Sequence, residues 1–340
     1  MIRGHAAGGS TLTVSAGLAR GLIELAVSRG ARRDALLEAS GIRLAELTDQ
    51  DNRILLARYI ALMRAGKELS HDPALALHFG EINDLSDISV VGLIGNASAN
   101  MLEALEQLNR YGRLVVEFAG PKDRFLLTRK QGKLWLVDAR DSPNEFPELT
   151  ESTFARMVCT PRRFGIDNWA EEIHVTHSAP SYRSEYDRVL GVPVTFDTEW
   201  NAIRANEAAL SHPIAREPHY AFGILARHAD TLLANLESSR SVRGEVERLL
   251  ISMLHTGDVG IDAVANRMSV SRQTLFRKLK AEGTTFEHTL DDLRHMLAVE
   301  YLDGKKVSVN ETAYLLGFSE PAAFSHAFKR WTGRSPRHRT

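Results

Sequence analysis

The sequence predicts an α+β N-terminal domain followed by an all-α C-terminal domain with two helix-turn-helix motifs joined by a linker helix. Three observations predict this fold class. Helical spacing, a hairpin signal and short strand patterns are mixed over about the first two thirds of the chain. After Pro218 the apolar spacing is helical almost to the end. Within that helical region, a segment with the pattern of two short helices occurs twice.

The composition is that of an ordinary globular protein. The chain has 340 residues, 44% of them hydrophobic and 25% charged, and a net charge of −1, which excludes the disordered and fibrous classes. Its single cysteine, Cys159, cannot form an internal disulfide or a multi-thiolate zinc site, as expected in a reducing cytoplasm. No apolar run is long enough to span a membrane, and Met1 to Ser10 lacks the hydrophobic region of a signal peptide. We therefore expect a cytoplasmic protein that does not contact a membrane.

The first 215 residues supply the mixed elements. We expect residues 1–15 to be a disordered N-terminus and residues 16–215 to form the α+β domain. Apolar spacing predicts helices over 53–69, 101–116 and 148–163. Phe125-Leu126-Leu127 and the apolar run 134–137 flank Gln131-Gly132-Lys133, which is a hairpin signal. Further strands are predicted over 173–176, 192–196 and 200–205.

The remaining residues are predicted to be helical. We expect a connecting helix within 216–240 and a separate all-α domain over 241–340. Helices are predicted over 220–236 and 243–254, and a longer one over 286–302. The C-terminal domain carries more basic than acidic residues, whereas the rest of the chain is acidic. This asymmetry permits a polyanionic partner, although a solvated basic surface would explain it equally well.

The repeat pairs residues 261–283 with residues 309–333. Ala265 corresponds to Ala313 and Met268 to Leu316. With one extra residue in the second turn, Leu275 then matches Phe324. In each copy a small alanine allows two helices to cross closely, and a serine, Ser271 or Ser319, is expected to be the N-cap of the second helix. The helix over 286–302 would hold the two copies at a fixed separation.

The second helix of each copy presents an outward stripe of polar residues. Arginine can recognise guanine in the major groove, glutamine can recognise adenine, and apolar groups contact the thymine methyl. A single helix pair of this kind would more often be ordinary helix packing. Because the pair occurs twice and each copy carries a polar stripe, the sequence predicts double-stranded DNA as the partner. The candidates for base readout are Arg272, Gln273, Phe276, Arg277, Pro321, Ala322, Ser325 and His326. The candidates for phosphate contacts are Lys278, Lys280, Lys305, Lys329, Arg330 and Arg337.

At these residues the chain resembles the AraC/XylS family of bacterial transcription regulators. The second copy, which runs from Ala313-Tyr314-Leu315-Leu316-Gly317-Phe318 to Gly333-Arg334-Ser335-Pro336, is close to the family signature. It departs from that signature at His326, where the family often has arginine, and at His338-Arg339, which replaces a closing Tyr-Arg. The resemblance implies a transcription regulator, more often an activator, that binds promoter DNA as a homodimer and contacts RNA polymerase.

The N-terminal part more weakly resembles the arabinose-binding-type sensor domain of one branch of the family. The stretches 72–77, 173–180 and 186–196 carry this similarity. It implies that the domain binds a small-molecule effector of unknown identity or mediates dimerisation, and it implies no cofactor. Phe125, Trp135 and Phe154 are candidates to line an effector pocket between the hairpin and the helix over 148–163. Ordinary core packing of these three aromatic residues is the alternative.

Other chemistry has weaker support in the sequence. His174 and His177 are three residues apart and would point to opposite faces of a predicted strand, so we expect structural or hydrogen-bonding roles and no metal site. Cys159 lies near three arginines, which can lower a thiol pKa, although a buried apolar role is more common. The Walker loop, dinucleotide and nucleophile-elbow motifs are missing. We therefore expect a non-enzyme, and an enzyme with a catalytic N-terminal domain is the alternative.

Overall fold

The computed structural model describes residues 12–214, 219–257, 259–303 and 307–336. Contacts divide the chain into two units, which meet between Leu233 and Ala234. This boundary lies inside a helix, His219–Arg240, within the range predicted for the connecting helix.

The N-terminal unit mixes helices and strands, as predicted. Its strands are β1 (Thr13–Ser15), β2 (Arg53–Leu55), β3 (Phe125–Lys130), β4 (Lys133–Asp138), β5 (Ala170–His174), β6 (Val194–Thr195) and β7 (Asn201–Ala205). Its helices are α1 (Ala16–Ser28), α2 (Arg33–Ser40), α3 (Leu56–Leu69), α4 (Leu75–Ile82), α5 (Val90–Asn96), α6 (Met101–Val115), α7 (Pro147–Arg162), α8 (Arg183–Leu190) and α9 (Glu207–Leu210). The helix α10 (His219–Arg240) crosses the boundary.

A five-stranded sheet in the order β3-β4-β7-β5-β6 organises the core of this unit. All its pairs are antiparallel except the parallel pair β5–β6. Leu136, Ile173 and Ile203 from the central strands form one cluster with buried residues of α7 and α8. The predicted hairpin is confirmed, with Lys130 paired to Lys133 across its turn.

The close packing of α4 on α7 depends on Gly80. A Cβ atom there would lie 2.2 Å from the Ser152 carbonyl oxygen and 2.7 Å from the Ala155 Cβ. Only a residue without a side chain allows the two helix backbones to approach this closely.

Two N-terminal predictions are wrong at their edges. Thr13–Ser15 pairs with Arg53–Leu55 as a two-stranded sheet. Residues 13–15 are therefore not part of a disordered N-terminus, and residues 53–55 are a strand and not the start of a helix. The Arg53 guanidinium holds this pair, since its Nε donates to Thr13 Oγ1 at 2.9 Å and its Nη2 donates to the Thr13 carbonyl at 3.1 Å. Tertiary hydrogen bonds thus outweigh the helical spacing at residues 53–55. Residues 1–11 of the predicted disordered N-terminus lie outside the described residues.

The C-terminal unit is all-helical in its described residues, as predicted. Beyond α10, its helices are α11 (Val242–Met253), α12 (Ile261–Arg267), α13 (Arg272–Ala281), α14 (Phe286–Asp303), α15 (Val309–Leu315) and α16 (Pro321–Thr332). One apolar cluster contains residues from all of α11 to α16, among them Leu293 of the predicted linker helix α14. Both helix pairs are therefore packed on a single core. No helix in the described ranges is long and apolar enough to cross a membrane.

Candidate nucleic-acid interface and ligand cavity

The two helix pairs, α12–α13 and α15–α16, share the same turn geometry. In the first turn the Val270 amide donates to the Ala265 carbonyl, and in the second the Phe318 amide donates to the Ala313 carbonyl, each at 3.0 Å. At the matching positions, Ser269 has φ +55° and Gly317 has φ +72°. The repeat seen in the sequence is therefore a repeat of backbone structure.

The N-caps of the two second helices differ. Ser271 caps α13 as predicted, because its Oγ accepts a hydrogen bond from the Thr274 amide at 3.2 Å. In the second copy the N-cap is Glu320, which makes no side-chain cap hydrogen bond, and Pro321 follows as the first helical residue. The prediction of Ser319 as the cap is therefore wrong. The extra residue in this turn moves the helix start past Ser319, and proline at the first helical position has no amide hydrogen to satisfy.

The outward face of α13 carries the predicted base-readout residues in accessible positions. Arg272, Gln273, Phe276 and Arg277 are all exposed, and Phe276 retains half of its accessible surface. Arg272 pairs with Asp262 at 3.2 Å, but both side chains are about two-thirds exposed, so this pair contributes little to stability. Leu275, on the opposite side of α13, is completely buried. The face of α13 directed at solvent is therefore polar and cationic around one exposed aromatic ring.

The corresponding face of α16 is less charged. Ala322 and His326 are exposed, whereas Pro321 and Ser325 are partly buried. The Ser325 hydroxyl donates to the Pro321 carbonyl at 3.0 Å, so it remains available chiefly as an acceptor. Phe324 is buried on the inner side of the helix. The two helices thus present different chemistry to a partner.

The candidates for phosphate contacts fall into three groups. Lys278, Lys280 and Lys329 are exposed. Arg330 is exposed but pairs with Asp291 of α14 at 2.6 Å, so a phosphate would have to compete for its guanidinium. The other two candidates, Lys305 and Arg337, lie outside the described residues.

Arg294 of α14 fixes the turn of the second helix pair, a role that the sequence did not indicate. Its Nε donates to the Leu316 carbonyl at 2.9 Å, and its Nη2 donates to the Gly317 carbonyl at 3.1 Å. The guanidinium carbon also lies 4.4 Å from the centre of the Phe318 ring. Since these partners are backbone carbonyls and a ring face, no charge pattern in the sequence could have revealed them. Arg294 orients the turn that precedes α16.

The N-terminal unit contains a cavity of about 190 Å³. Its wall is formed by α5, α6, α7, the start of β3 and neighbouring segments, and most of it is apolar. The large apolar and aromatic lining residues include Leu105, Leu108, Val115, Phe118, Phe125, Leu149, Met157, Phe164, Ile166 and Trp169. A mostly apolar wall with a few polar groups is typical of a small-molecule site.

Arg156 brings a cation to this wall. The side chain lines the cavity, and its guanidinium carbon lies 5.4 Å from the centre of the Phe79 ring. Its Nε donates to the Asn83 carbonyl at 3.4 Å, and its buried Nη2 has no hydrogen-bond partner among the described residues. Burial lowers the pKa of this guanidinium, but arginine remains protonated in proteins.

A second cationic group borders the cavity through Arg124. Asp138 accepts from Arg124 Nε at 3.0 Å and Nη2 at 2.8 Å, and from Arg140 Nε at 3.0 Å. Burial alone would raise the pKa of Asp138, but the two guanidinium groups outweigh it and hold that pKa below its usual value. One buried carboxylate therefore serves two buried arginines, which leaves this cluster with a net positive charge.

The three aromatic candidates for an effector pocket are separated by the structure. Phe125 lines the cavity. Trp135 instead packs against His174 and Trp200, with ring centres 4.6 and 5.3 Å away. Phe154 is almost completely buried in the cluster between the sheet and α7. The latter two are not among the described residues that line the cavity.

The two histidines and the cysteine have local structural partners. His174 Nε2 lies 2.9 Å from Glu172 and its Nδ1 accepts from Trp200, whereas His177 Nε2 lies 3.1 Å from the Tyr186 hydroxyl. Cys159 is partly buried, and that burial raises the pKa of its thiol in spite of the nearby arginines. The lowered thiol pKa that the sequence left open as the less favoured alternative does not occur, since desolvation of the thiolate exceeds the attraction of those charges.

Comparison with known proteins identifies both units. Residues 30–214 match the arabinose-binding domain of the AraC transcription regulator, N-terminal, and residues 264–339 match a helix-turn-helix domain. The first match alone covers more than half of the chain.

Three relatives are similar to this chain over different lengths. The ornithine utilization regulator of Pseudomonas aeruginosa is 26% identical over 326 residues, which cover 94% of this chain and 93% of that protein. The transcriptional regulator VirS of Mycobacterium tuberculosis is 23% identical over 292 residues, which cover 85% and 84%. The transcriptional activator RhaS of Escherichia coli is 39% identical over 118 residues, which cover 34% of this chain and 41% of that protein. The duplicated helix pairs and these matches together show that this chain belongs to the AraC family of DNA-binding transcription regulators.

Proposed function

We propose that the protein is a sequence-specific transcription activator that binds promoter DNA through α13 and α16 and is controlled by a small-molecule effector in the N-terminal cavity. The observation that carries the proposal is the pair of accessible polar stripes on two helices built on one core. Homodimerisation, contact with RNA polymerase and a cytoplasmic location are parts of the same proposal.

The two helices would divide the reading of DNA between them. Gln273 and Arg277 of α13 can form paired hydrogen bonds with adenine and guanine, and Phe276 can contact a thymine methyl. On α16, His326 and Ala322 offer a hydrogen-bonding group and an apolar contact. Lys278, Lys280 and Lys329 would contact phosphates, which position the protein and make its affinity fall with salt. We expect α13 to contribute more discrimination, because its stripe has more groups that form paired hydrogen bonds.

Arg277→Ala is expected to weaken binding to the target site by about 1–3 kcal/mol and to relax base preference near one position. Lys280→Ala is the matched control on the same helix, because it also removes one exposed cation. It should weaken target and random DNA equally and reduce the salt dependence. Fluorescence anisotropy on both DNAs at several salt concentrations measures these effects. Equal losses on the two DNAs for Arg277→Ala would show that this side chain contacts only the backbone.

Control by an effector requires that the ligand prefers one state of the protein over another. Ligand binding in the cavity should therefore change DNA affinity or transcription from a reporter promoter. Calorimetry gives binding, and footprinting with a transcription assay gives its consequence. A ligand that binds in the cavity and changes neither DNA occupancy nor transcription would contradict this part of the proposal, and a fall in transcription would indicate repression.

A further inference from the structure

The cavity holds a cationic group that has no ion-pair partner among the described residues. Arg156 lines the cavity, and in the described part of the chain its guanidinium makes no ion pair. Asp84 is the acidic residue among the described residues of the wall. It attracts Arg156 electrostatically, but its carboxylate is bonded to Arg163 at 2.6 Å and to the Ser86 amide and hydroxyl at 2.9 Å. Leaving a desolvated charge without a counter-ion is unfavourable.

The neighbouring cluster adds to the positive charge. Arg124 also lines the cavity, and Asp138 is shared between Arg124 and Arg140. Asp138 therefore has no capacity left to neutralise Arg156. The electrostatic environment of the cavity favours an anion.

The rest of the wall limits what kind of anion can enter. Leu105, Leu108, Val115, Phe118 and Met157 offer no hydrogen bonds from their side chains. Arg124 is already held by Asp138 and Thr153, so a phosphate ester or a dicarboxylate would lose hydration at more oxygens than Arg156 can satisfy. A single carboxylate matches the guanidinium, because its two oxygens accept from two N–H groups in parallel.

We propose that the cavity binds a small monocarboxylate, with its carboxylate on Arg156 and its apolar body against the leucine and aromatic wall. This inference deepens the proposed function, since it names the chemical class of the effector for the same site. A cavity of about 150 Å³ lined by apolar side chains binds benzene, and this one measures about 190 Å³. The ligand is therefore of the size of one aromatic ring or a short alkyl chain that carries the carboxylate.

The test compares carboxylates with neutral amides of the same shape. Calorimetry on the full-length protein would use benzoate, phenylacetate and hexanoate as probes, and benzamide, phenylacetamide and hexanamide as their neutral counterparts. At least one carboxylate is expected to bind about 10- to 100-fold more tightly than its amide, which is the usual effect of a hydrogen bond to a charged group. No binding by any of the carboxylates, or equal binding by acid and amide, would overturn the proposal.

Variants assign the effect to Arg156. Arg156→Met should abolish the preference for the acid, whereas Arg156→Lys, which keeps the charge, should retain part of it. Arg129→Met is the matched control, because Arg129 is exposed, pairs with Glu207 and does not line the cavity. Without ligand, Arg156→Met should melt at or above the wild-type temperature, since it removes a charged group that has no ion pair and whose buried Nη2 has no hydrogen-bond partner among the described residues. A large loss of stability in this variant would mean that the fold already neutralises the guanidinium, which contradicts the proposal.

The same protein and probes separate this inference from the proposed function. If a carboxylate binds through Arg156 but DNA binding and transcription do not change, the cavity assignment stands and effector control fails. If instead a neutral or cationic compound changes DNA binding and no carboxylate binds, effector control stands and the monocarboxylate assignment fails.

Discussion

Replacing Asp138 with asparagine is expected to lower the free energy of unfolding by about 3–5 kcal/mol, because it leaves two buried arginines without their shared counter-charge. The Asp138 side chain is fully buried, and the side chains of Arg124 and Arg140 are 10% and 6% exposed. Solvent cannot replace the lost carboxylate at such positions. Urea denaturation of the full chain at pH 7, followed on a probe in the N-terminal unit, measures the effect.

The pH dependence of stability tests the same cluster, Asp138 with Arg124 and Arg140, in a second way. The pKa of Asp138 is held below its usual value in the folded protein, so its contribution is complete above the unfolded pKa of about 3.9. It is lost as the pH falls through the lower, folded pKa. The difference in stability between wild type and Asp138→Asn should therefore be constant near neutrality and shrink in strong acid. Asp141→Asn, at an exposed aspartate nearby, is the control, and an equal effect of both substitutions would contradict the argument.

Replacing Gly317 with alanine is expected to destabilise the C-terminal unit by at least about 2 kcal/mol. The backbone there has φ +72°, and a Cβ would lie 2.5 Å from the Leu254 carbonyl oxygen. The left-handed conformation costs a residue with a side chain about 1–2 kcal/mol, and overpacking adds about 1–3 kcal/mol. The shift would also disturb the Leu316 and Gly317 carbonyls that Arg294 holds, so DNA affinity should fall as well.

Gly333→Ala separates the two contributions. Gly333 has φ +75°, but a Cβ there would meet no atom within 4 Å. It should therefore show only the backbone cost and melt between wild type and Gly317→Ala in thermal denaturation. Equal melting temperatures for the two variants would show that the contact with Leu254 is unimportant.

The sequence predicted the C-terminal unit well because its signals are local and duplicated. Ala265 and Ala313 mark the helix crossings, and the period of Leu275 and Leu279 gives the buried side of α13. The alignment also exposed the extra residue in the second turn. It did not show that this residue moves the N-cap from Ser319 to Glu320, because serine is the better cap by residue type alone.

The features that the sequence did not predict depend on distant partners. Residues 53–55 have helical spacing, but Arg53 and Thr13, which are far apart along the chain, hold them in a strand. Phe125, Trp135 and Phe154 are all aromatic and near one another in sequence, yet only Phe125 lines the cavity. In the sequence, Arg156 is only one of the three arginines near Cys159, because its unbonded, buried Nη2 is visible only once the fold surrounds it.

We expect the two helix pairs on one core to bind in two neighbouring major grooves, and selection of bound sites from a random DNA library tests this most directly. The full-length protein would be compared with Arg277→Ala and His326→Ala. We predict that each subunit selects two short sequences about one helical turn apart, and that Arg277→Ala relaxes one of them while His326→Ala relaxes the other. Selection of a single short sequence, or relaxation of the same positions by both substitutions, would contradict the account.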